Sequence, residues 1–228
     1  MPAQIAIIAA LPREIAALVR GTRADASLMR DGVWLYRLEG DVVVAAGMGA
    51  ERVAFAVEAA FAAGDVGMLI STGLAGGCAP GVVAGSVMEA NVVVDVRTGE
   101  RFASSVVGGA GVTLATATTI ASVQEKAWLA ESYGAALVDM EAATVARLAL
   151  AKGVGFRAIK GVSDGYDFEL SALAKFEGER GSFRTGAFAL HTAVRPWMWA
   201  RAMELGRGSA KALAGLDEAL RRVIAGER

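Results

Sequence analysis

The feature that most restricts this chain is an alternation of short, nearly unbroken apolar runs with alanine-rich stretches of helical spacing. Residues 4–10, Val66–Ser71 and 156–162 are runs of this kind, too short for a core helix and rich in Val, Ile and Leu. Such runs suit strands buried on both faces. Between them, residues 51–63 and 142–151 carry alanine and leucine with few charges, as helices packed against a sheet would. Strand–helix alternation implies an α/β fold with a largely parallel or mixed central sheet. The remaining expected elements are a helix over 13–20 and a strand pair at 33–38 and 42–46 around Gly40 and Asp41. A strand-rich segment at 82–96, a strand at Val112–Thr116, a helix over 122–132 and a short strand at 136–138 complete the series.

With 228 residues, 54% of them hydrophobic, the chain has enough apolar surface for one large domain spanning 1–228 and is short for two. A net charge of −1 gives no field favouring nucleic acid. The single cysteine, Cys78, excludes an internal disulfide framework. One histidine, His191, gives little support to a Ser/His/Asp triad or a histidine-based metal site, and no CxxC pair occurs. The first residues lack a basic region ahead of their apolar run and read as a strand instead of a signal peptide. No apolar stretch reaches membrane-span length, so a cytoplasmic location is expected.

Residues 169–225 carry no convincing strand, and Leu213, Leu216, Leu220 and Ile224 recur at helical spacing. They define a helical C-terminal extension, about 183–228, packed on the sheet or on a second subunit. Within it, residues 195–203 also suit an apolar surface near an entry to a site, where Trp197 and Trp199 beside Arg195 and Arg201 could make peripheral contact with a lipid interface.

Ligands of open α/β sheets bind beyond the carboxyl ends of the strands, and four polar segments follow strands here. They are ALPREI with Glu14, STGLAGGCAPG, DME at 139–141, and SDGYD at 163–167. Gly73, Gly76 and Gly77 do not have GxGxxG spacing, which argues against a dinucleotide site. Asp139 is placed to cap the helix that follows it. Glu141, at the mouth of an otherwise apolar helix, is suited to accept hydrogen bonds from vicinal hydroxyls such as those of a ribose. Met140 offers a polarizable face for the sugar. Asp164 in a poorly solvated crevice holds a proton more readily than usual and can pass it to a leaving heterocycle.

Taken in order, IAIIAALPREI, AAGMGAERVA, STGLAGGCAP, LVDMEAATVA and KGVSD resemble the nucleoside phosphorylase superfamily, in particular its methylthioadenosine/adenosylhomocysteine nucleosidase branch. The segments at 124–143 and 193–206 resemble the hopanoid-associated members, thought to remove adenine from adenosylhopane. The resemblance implies a three-layer α/β sandwich around a mixed sheet, assembled as a homodimer or larger. It implies Glu14 as the base that activates water, Met140 and Glu141 as the ribose-holding pair, and Asp164, steadied by Ser163, as the acid at purine N7. Ala75 and Gly76 would line the sugar and base, and Thr119 and Ile120 the base pocket. Leu74 stands where these nucleosidases usually have serine, and Ser71 where phosphorylases carry a phosphate-binding arginine. Lys160 replaces an arginine and Asp139 a glutamate, leaving Arg13 or Arg52 as substitute phosphate ligands.

The expected activity is therefore cleavage of a purine riboside, with adenine favoured as the base, water as nucleophile and no metal or organic cofactor. A phosphorylase using inorganic phosphate as co-substrate and a non-catalytic nucleoside-binding protein are the alternatives. An adenosylhopane-like lipid is the most specific substrate the resemblance suggests.

Overall fold

The computed structural model describes residues 4–29, 31–105, 111–170 and 199–226. His191, Arg195, Trp197 and the first part of the C-terminal extension lie outside the described residues. Two central strands, β1 (Gln4–Ala9) and β3 (Asp41–Ala45), pair in parallel, and β2 (Trp34–Leu38) runs antiparallel at the edge beside β3. On the other flank of β1 lies β4 (Val66–Ser71), followed by β10 (Gly155–Asp164).

Strands β5 (Leu74–Gly77), β6 (Val87–Asp95), β7 (Arg101–Ala103), β8 (Val112–Thr116) and β9 (Ala135–Asp139) extend the sheet in the order β2-β3-β1-β4-β10-β5-β9-β8-β6-β7. The sheet also turns back on itself. β10 pairs with β4 through residues 155–158, with β5 through 161–164, and antiparallel with β6 through 158–161. Strands β10, β5, β9, β8 and β6 thus form a closed ring. Its register aligns Thr116 with Asp139, Val138 with Gly76, and Gly76 with Asp164, which brings these positions together at one end of the ring.

Side chains alternate across the sheet with period two. Ala6, Ile8, Val42 and Val44 face α3 (Ala50–Ala63) and α5 (Ala142–Lys152). Ile7, Ala9, Val43 and Ala45 face α1 (Pro12–Ile15) and α6 (Trp199–Ile224). Besides these, α2 (Ala26–Met29) is a single turn, and α4 (Val123–Tyr133) covers a third cluster of Cys78, Ala115, Leu129 and Val138. Ser122 starts α4 with a reciprocal capping pair: its hydroxyl accepts from the Glu125 N–H at 3.2 Å while the Glu125 carboxylate accepts from the Ser122 N–H at 2.7 Å. Arg147, the charge in the middle of α5, leaves the apolar stripe to reach Asp95 at 2.5 Å and Glu100 at 2.6 Å.

The C-terminal helix packs on the sheet of its own chain. Ala212, Leu216 and Leu220 are buried, and each leucine contributes roughly 1.5–3 kcal/mol by leaving water. Small residues bring α6 close: a Cβ on Gly161 would lie 3.0 Å from that of Ala212, and one on Gly208 would lie 2.6 Å from the Ser163 carbonyl oxygen. Among the described residues, no helix is long and apolar enough to cross a membrane.

Two expectations are corrected here. The helix expected over 13–20 ends at Ile15, and residues 16–21 continue as turns that bury Leu18 and Val19 side by side. The glycine segment STGLAGGCAPG, for which the sequence predicts no strand, contains strand β5, whose small residues fit between β10 and β9 where larger ones would not. A Cβ on Gly76 would lie only 3.3 Å from both Asp164 Oδ2 and Lys126 Cε.

Candidate active site

A cavity of about 470 Å³ opens at the end of the strand ring, between the sheet and α6. Glu14, Glu141 and Asp164, which lie on three distant segments of sequence, all line it. Around them stand the other residues singled out from sequence: Ala75 and Gly76 on β5, Met140 before α5, Ser163 on β10, and the 119–120 loop of Thr119 and Ile120.

Glu14 is half-buried in α1 and held at both oxygens. Its Oε2 accepts from the Leu11 N–H at 2.9 Å and its Oε1 from the Leu74 N–H at 3.2 Å. Two backbone donors thus fix the carboxylate in one orientation. Gly73 makes this approach possible: its φ is +118°, and a Cβ there would lie 2.8 Å from Glu14 Oε2. Leu74, at the position of the usual serine, therefore takes part through its backbone.

Asp139 and Glu141 have different tasks. Asp139 Oδ2 accepts from the Ala142 N–H at 2.9 Å and pairs with Lys160 Nζ at 2.8 Å, while Oδ1 accepts from the Thr116 hydroxyl at 2.7 Å. It caps α5, as its sequence position suggested, and both oxygens are engaged. Glu141 Oε1 accepts from the Gly49 N–H at 3.0 Å. Its carboxyl is pushed up to about 7, first by burial, then by the charge of Asp139, against the opposing pull of Lys160 and the Gly49 N–H. Glu14 adds to the upward push, which places those two carboxylates within electrostatic reach of each other.

Asp164 is buried in the cavity wall. Its Oδ1 accepts from the Ser163 hydroxyl, and its Oδ2 is ion-paired with Lys126. Burial raises the affinity of Asp164 for its proton, and Lys126 and Ser163 oppose that shift without cancelling it. Lys126 was not singled out from sequence. A signal was available: on α4 it is three residues from buried Leu129, which puts a lysine on the apolar face of the helix.

Arg52 does not approach the cavity, contrary to the reading of it as a substitute phosphate ligand. Its guanidinium donates to the carbonyls of Ala46 at 2.5 Å, Asp31 at 2.9 Å and Gly32 at 3.2 Å, which staple α3 to the β2 region. Arg13 does line the cavity. Ser71 is buried, and its hydroxyl is met by Lys160 Nζ at 3.0 Å. Among the described residues, no three His, Cys, Asp or Glu side chains are grouped to hold a metal ion.

Of the segment 195–203 read as an apolar surface near an entry to the site, Ala202 lines the cavity, and the rest of the wall on that side comes from farther along α6. Ala202, Leu205, Gly206, Ala210 and Leu213 close one side of the cavity and make that side almost wholly apolar.

A family model described as the phosphorylase superfamily matches residues 4–109 and 106–193 of the chain. No curated protein matches it by sequence. Among solved structures, 5′-methylthioadenosine/S-adenosylhomocysteine nucleosidase from Helicobacter pylori, crystallised with butyl-thio-DADMe-Immucillin-A, superposes with a TM-score of 0.70 at 13% identity, covering 99% of this chain and 100% of its own. Futalosine hydrolase of Helicobacter pylori gives 0.71 at 14% identity, covering 98% of each chain. The apo 5′-methylthioadenosine nucleosidase of Arabidopsis thaliana gives 0.74 at 18% identity, covering 99% of this chain and 96% of its own. These likenesses establish the fold, a mixed sheet between helical layers.

Proposed function

The chain belongs to the phosphorylase superfamily, and from that premise we propose that it hydrolyses the N-glycosidic bond of a purine riboside, with residues 1–228 acting as one domain. The observation that carries this reading is the convergence of Glu14, Glu141 and Asp164 on one cavity. Breaking a bond from ribose to purine builds positive charge on the sugar and negative charge on the base. Glu141 holds the ribose hydroxyls and stabilises the sugar cation. Asp164 gives its proton to the base, and Glu14 takes one from the attacking water. Met140 packs against the sugar; Ala75, Gly76, Thr119 and Ile120 enclose the base; Ser163 orients Asp164.

Water is favoured over phosphate as nucleophile on two grounds. Ser71 supplies no cation of its own, its neighbour Lys160 is paired with Asp139, and Arg52 is spent on backbone carbonyls away from the cavity, so of the two arginines that could stand in as phosphate ligands Arg13 alone lines it. A fixed Glu14 carboxylate at the nucleophile site also repels a dianion. Adenine is the preferred base, and an apolar substituent at the ribose 5′ position is favoured, because Leu205, Ala210 and Leu213 of α6 line the cavity without a charge. An adenosylhopane-like lipid satisfies that requirement.

The test is a panel of purine and pyrimidine ribosides, short and long at the 5′ position, assayed for free base with and without inorganic phosphate. Release of free adenine and of the ribose still carrying its 5′ substituent, unaffected by phosphate, is expected. A phosphate requirement with formation of a ribose 1-phosphate would make the enzyme a phosphorylase. Adenine binding with no release from any riboside would make it a binding protein.

Glu141 sets one edge of the pH dependence. Its carboxyl is raised from the ordinary 4.5 to about 7, so the neutral form predominates below that value and the charge that supports the sugar cation is lost. The expected profile of kcat/KM rises with pH through an acid limb near 7, and Glu141→Gln abolishes the limb together with most turnover. In stability the sign is the reverse. Because folding raises this group, its contribution is fully present below about 4.5 and is lost as pH rises through about 7. An acid limb unchanged in Glu141→Gln would assign the titration to another group.

A further inference from the structure

Among the described residues Lys126 is one of the largest side chains to be wholly buried, and it lines the cavity at Asp164. An ammonium has three donors, and each has an acceptor: Asp164 Oδ2, the Gly165 carbonyl at 2.9 Å and the Phe168 carbonyl at 3.0 Å. It thereby joins α4 to the end of β10 and to the turn that follows. Gly76 leaves the room for this, since a Cβ would press on both Lys126 Cε and Asp164 Oδ2. A salt bridge kept only for stability has no need to occupy the wall of a substrate cavity, where a well-packed apolar pair of similar volume would serve stability as well.

We propose that Lys126 is the positioning residue of the leaving-group end: it fills Asp164 Oδ2 and so holds the opposite edge of that carboxyl toward the base. This rests on the nucleosidase reading for the identity of the base. In the step it serves, the Asp164 carboxyl O–H bond breaks as the proton moves to a ring nitrogen of the purine. The C1′–N9 electron pair stays with the base, and Lys126 takes no part in the transfer. The charge of Lys126 also works against the protonated Asp164 that the step consumes. Groups facing the pair are few. Ser163 and Lys126 contact Asp164 directly, Cys78 just past the end of β5 lies close with its thiol pushed up to about 12, and Arg13, Glu14, Asp139 and Glu141 share the cavity. Cys78 therefore stays neutral through the working range.

The experiment compares Lys126→Met, Lys126→Gln and Lys126→Arg on methylthioadenosine, with kcat and KM measured separately across pH and folding checked by thermal unfolding. In the neutral variants kcat should fall by about tenfold or more, part of what a positioned acid supplies, with KM little changed. The alkaline limb, set by ionisation of the Asp164 acid, should move upward by about 1–3 pH units, because the cation that favours ionised Asp164 is gone. Lys126→Arg should keep the limb in place. In an Asp164→Asn background, Lys126→Met should cost nothing further in kcat. An unmoved limb in the neutral variants, or an equal loss in the Asp164→Asn background, overturns the proposal. Should neither neutral variant fold, the arginine variant decides: its planar head cannot remake all three contacts, so reduced kcat supports the clamp and unaltered kcat overturns it. Absence of free purine from the unaltered chain would instead sink the nucleosidase reading. Calorimetric binding of adenine across pH then tests the clamp alone, supported if Lys126→Met moves the pH dependence and overturned if it does not.

Discussion

Glu14→Gln is expected to lower kcat for purine release by about 10²–10⁴-fold, the usual worth of a positioned general base, while KM and thermal stability stay near those of the unaltered protein. Glutamine has the same reach, so the side chain can keep its place in α1. What changes is the pair of oxygens. Both now accept backbone N–H groups, from Leu11 and from Leu74. An amide presents one oxygen and one NH₂, so one of these donors loses its acceptor, at roughly 0.5–1.5 kcal/mol in a half-exposed setting. That is small beside the catalytic loss, because no neutral amide can take a proton from water. KM is spared because the proposed contact of Glu14 is with the nucleophile and not with the riboside. Gly73→Ala should act in the same direction from the other side, since its methyl would enter the space of Glu14 Oε2. Steady-state kinetics with circular dichroism melts would decide the matter. If Glu14→Gln retained more than about a tenth of kcat, the base would have to be sought elsewhere.

How far such a site can be read from sequence depends on what fixes each element. Val66–Ser71 and Val112–Thr116 are strands at the boundaries their residues indicate. A run of buried β-branched and aliphatic residues satisfies its backbone best within a sheet, whatever surrounds it. Strand β5 is the opposite case. Leu74–Gly77 has little strand propensity, and its conformation comes from the register with β10 and β9, a tertiary effect that leaves no local trace. Closure of the ring through β6 and β10 is hidden for the same reason: it depends on β10 changing partners along its length.

The carboxylates were legible because charge is costly in apolar surroundings. Glu141 at the start of α5 and Asp164 at the end of β10 stood out against their neighbours. Lys126 was open to the same logic, but its helix carries other charges among which it is inconspicuous. For α6, leucine spacing identified the half that packs on the sheet. The half that walls the cavity is built from small residues, Gly206, Ser209 and Ala210 among them, whose pattern carries almost no periodic signal.

Lys160→Met is the substitution expected to destabilise the protein most, by roughly 3–5 kcal/mol, the cost of removing one member of a buried ion pair. Lys160 Nζ and the Asp139 carboxylate lie 2.8 Å apart with side chains 1% and 0% exposed. The ammonium also donates to the Ser71 hydroxyl at 3.0 Å and the Thr72 carbonyl at 3.1 Å. Methionine fills similar space but offers none of these contacts. Asp139 would retain the Thr116 hydroxyl and the Ala142 N–H, which orient a carboxylate without balancing its charge. The effect would spread to the neighbouring carboxyl, because Lys160 is the cation that restrains the upward shift of Glu141. With that restraint gone, the acid limb of kcat/KM should move to higher pH in whatever folded protein remains. Adding Asp139→Asn separates the causes. It removes the unbalanced charge while keeping an acceptor for the α5 cap, so the double variant should regain most of the lost stability in urea denaturation. If Lys160→Met cost as much in an Asp139→Asn background as beside the native aspartate, the loss would come from packing and the contacts to Ser71 and Thr72, and the pair would have no part in holding this end of the sheet.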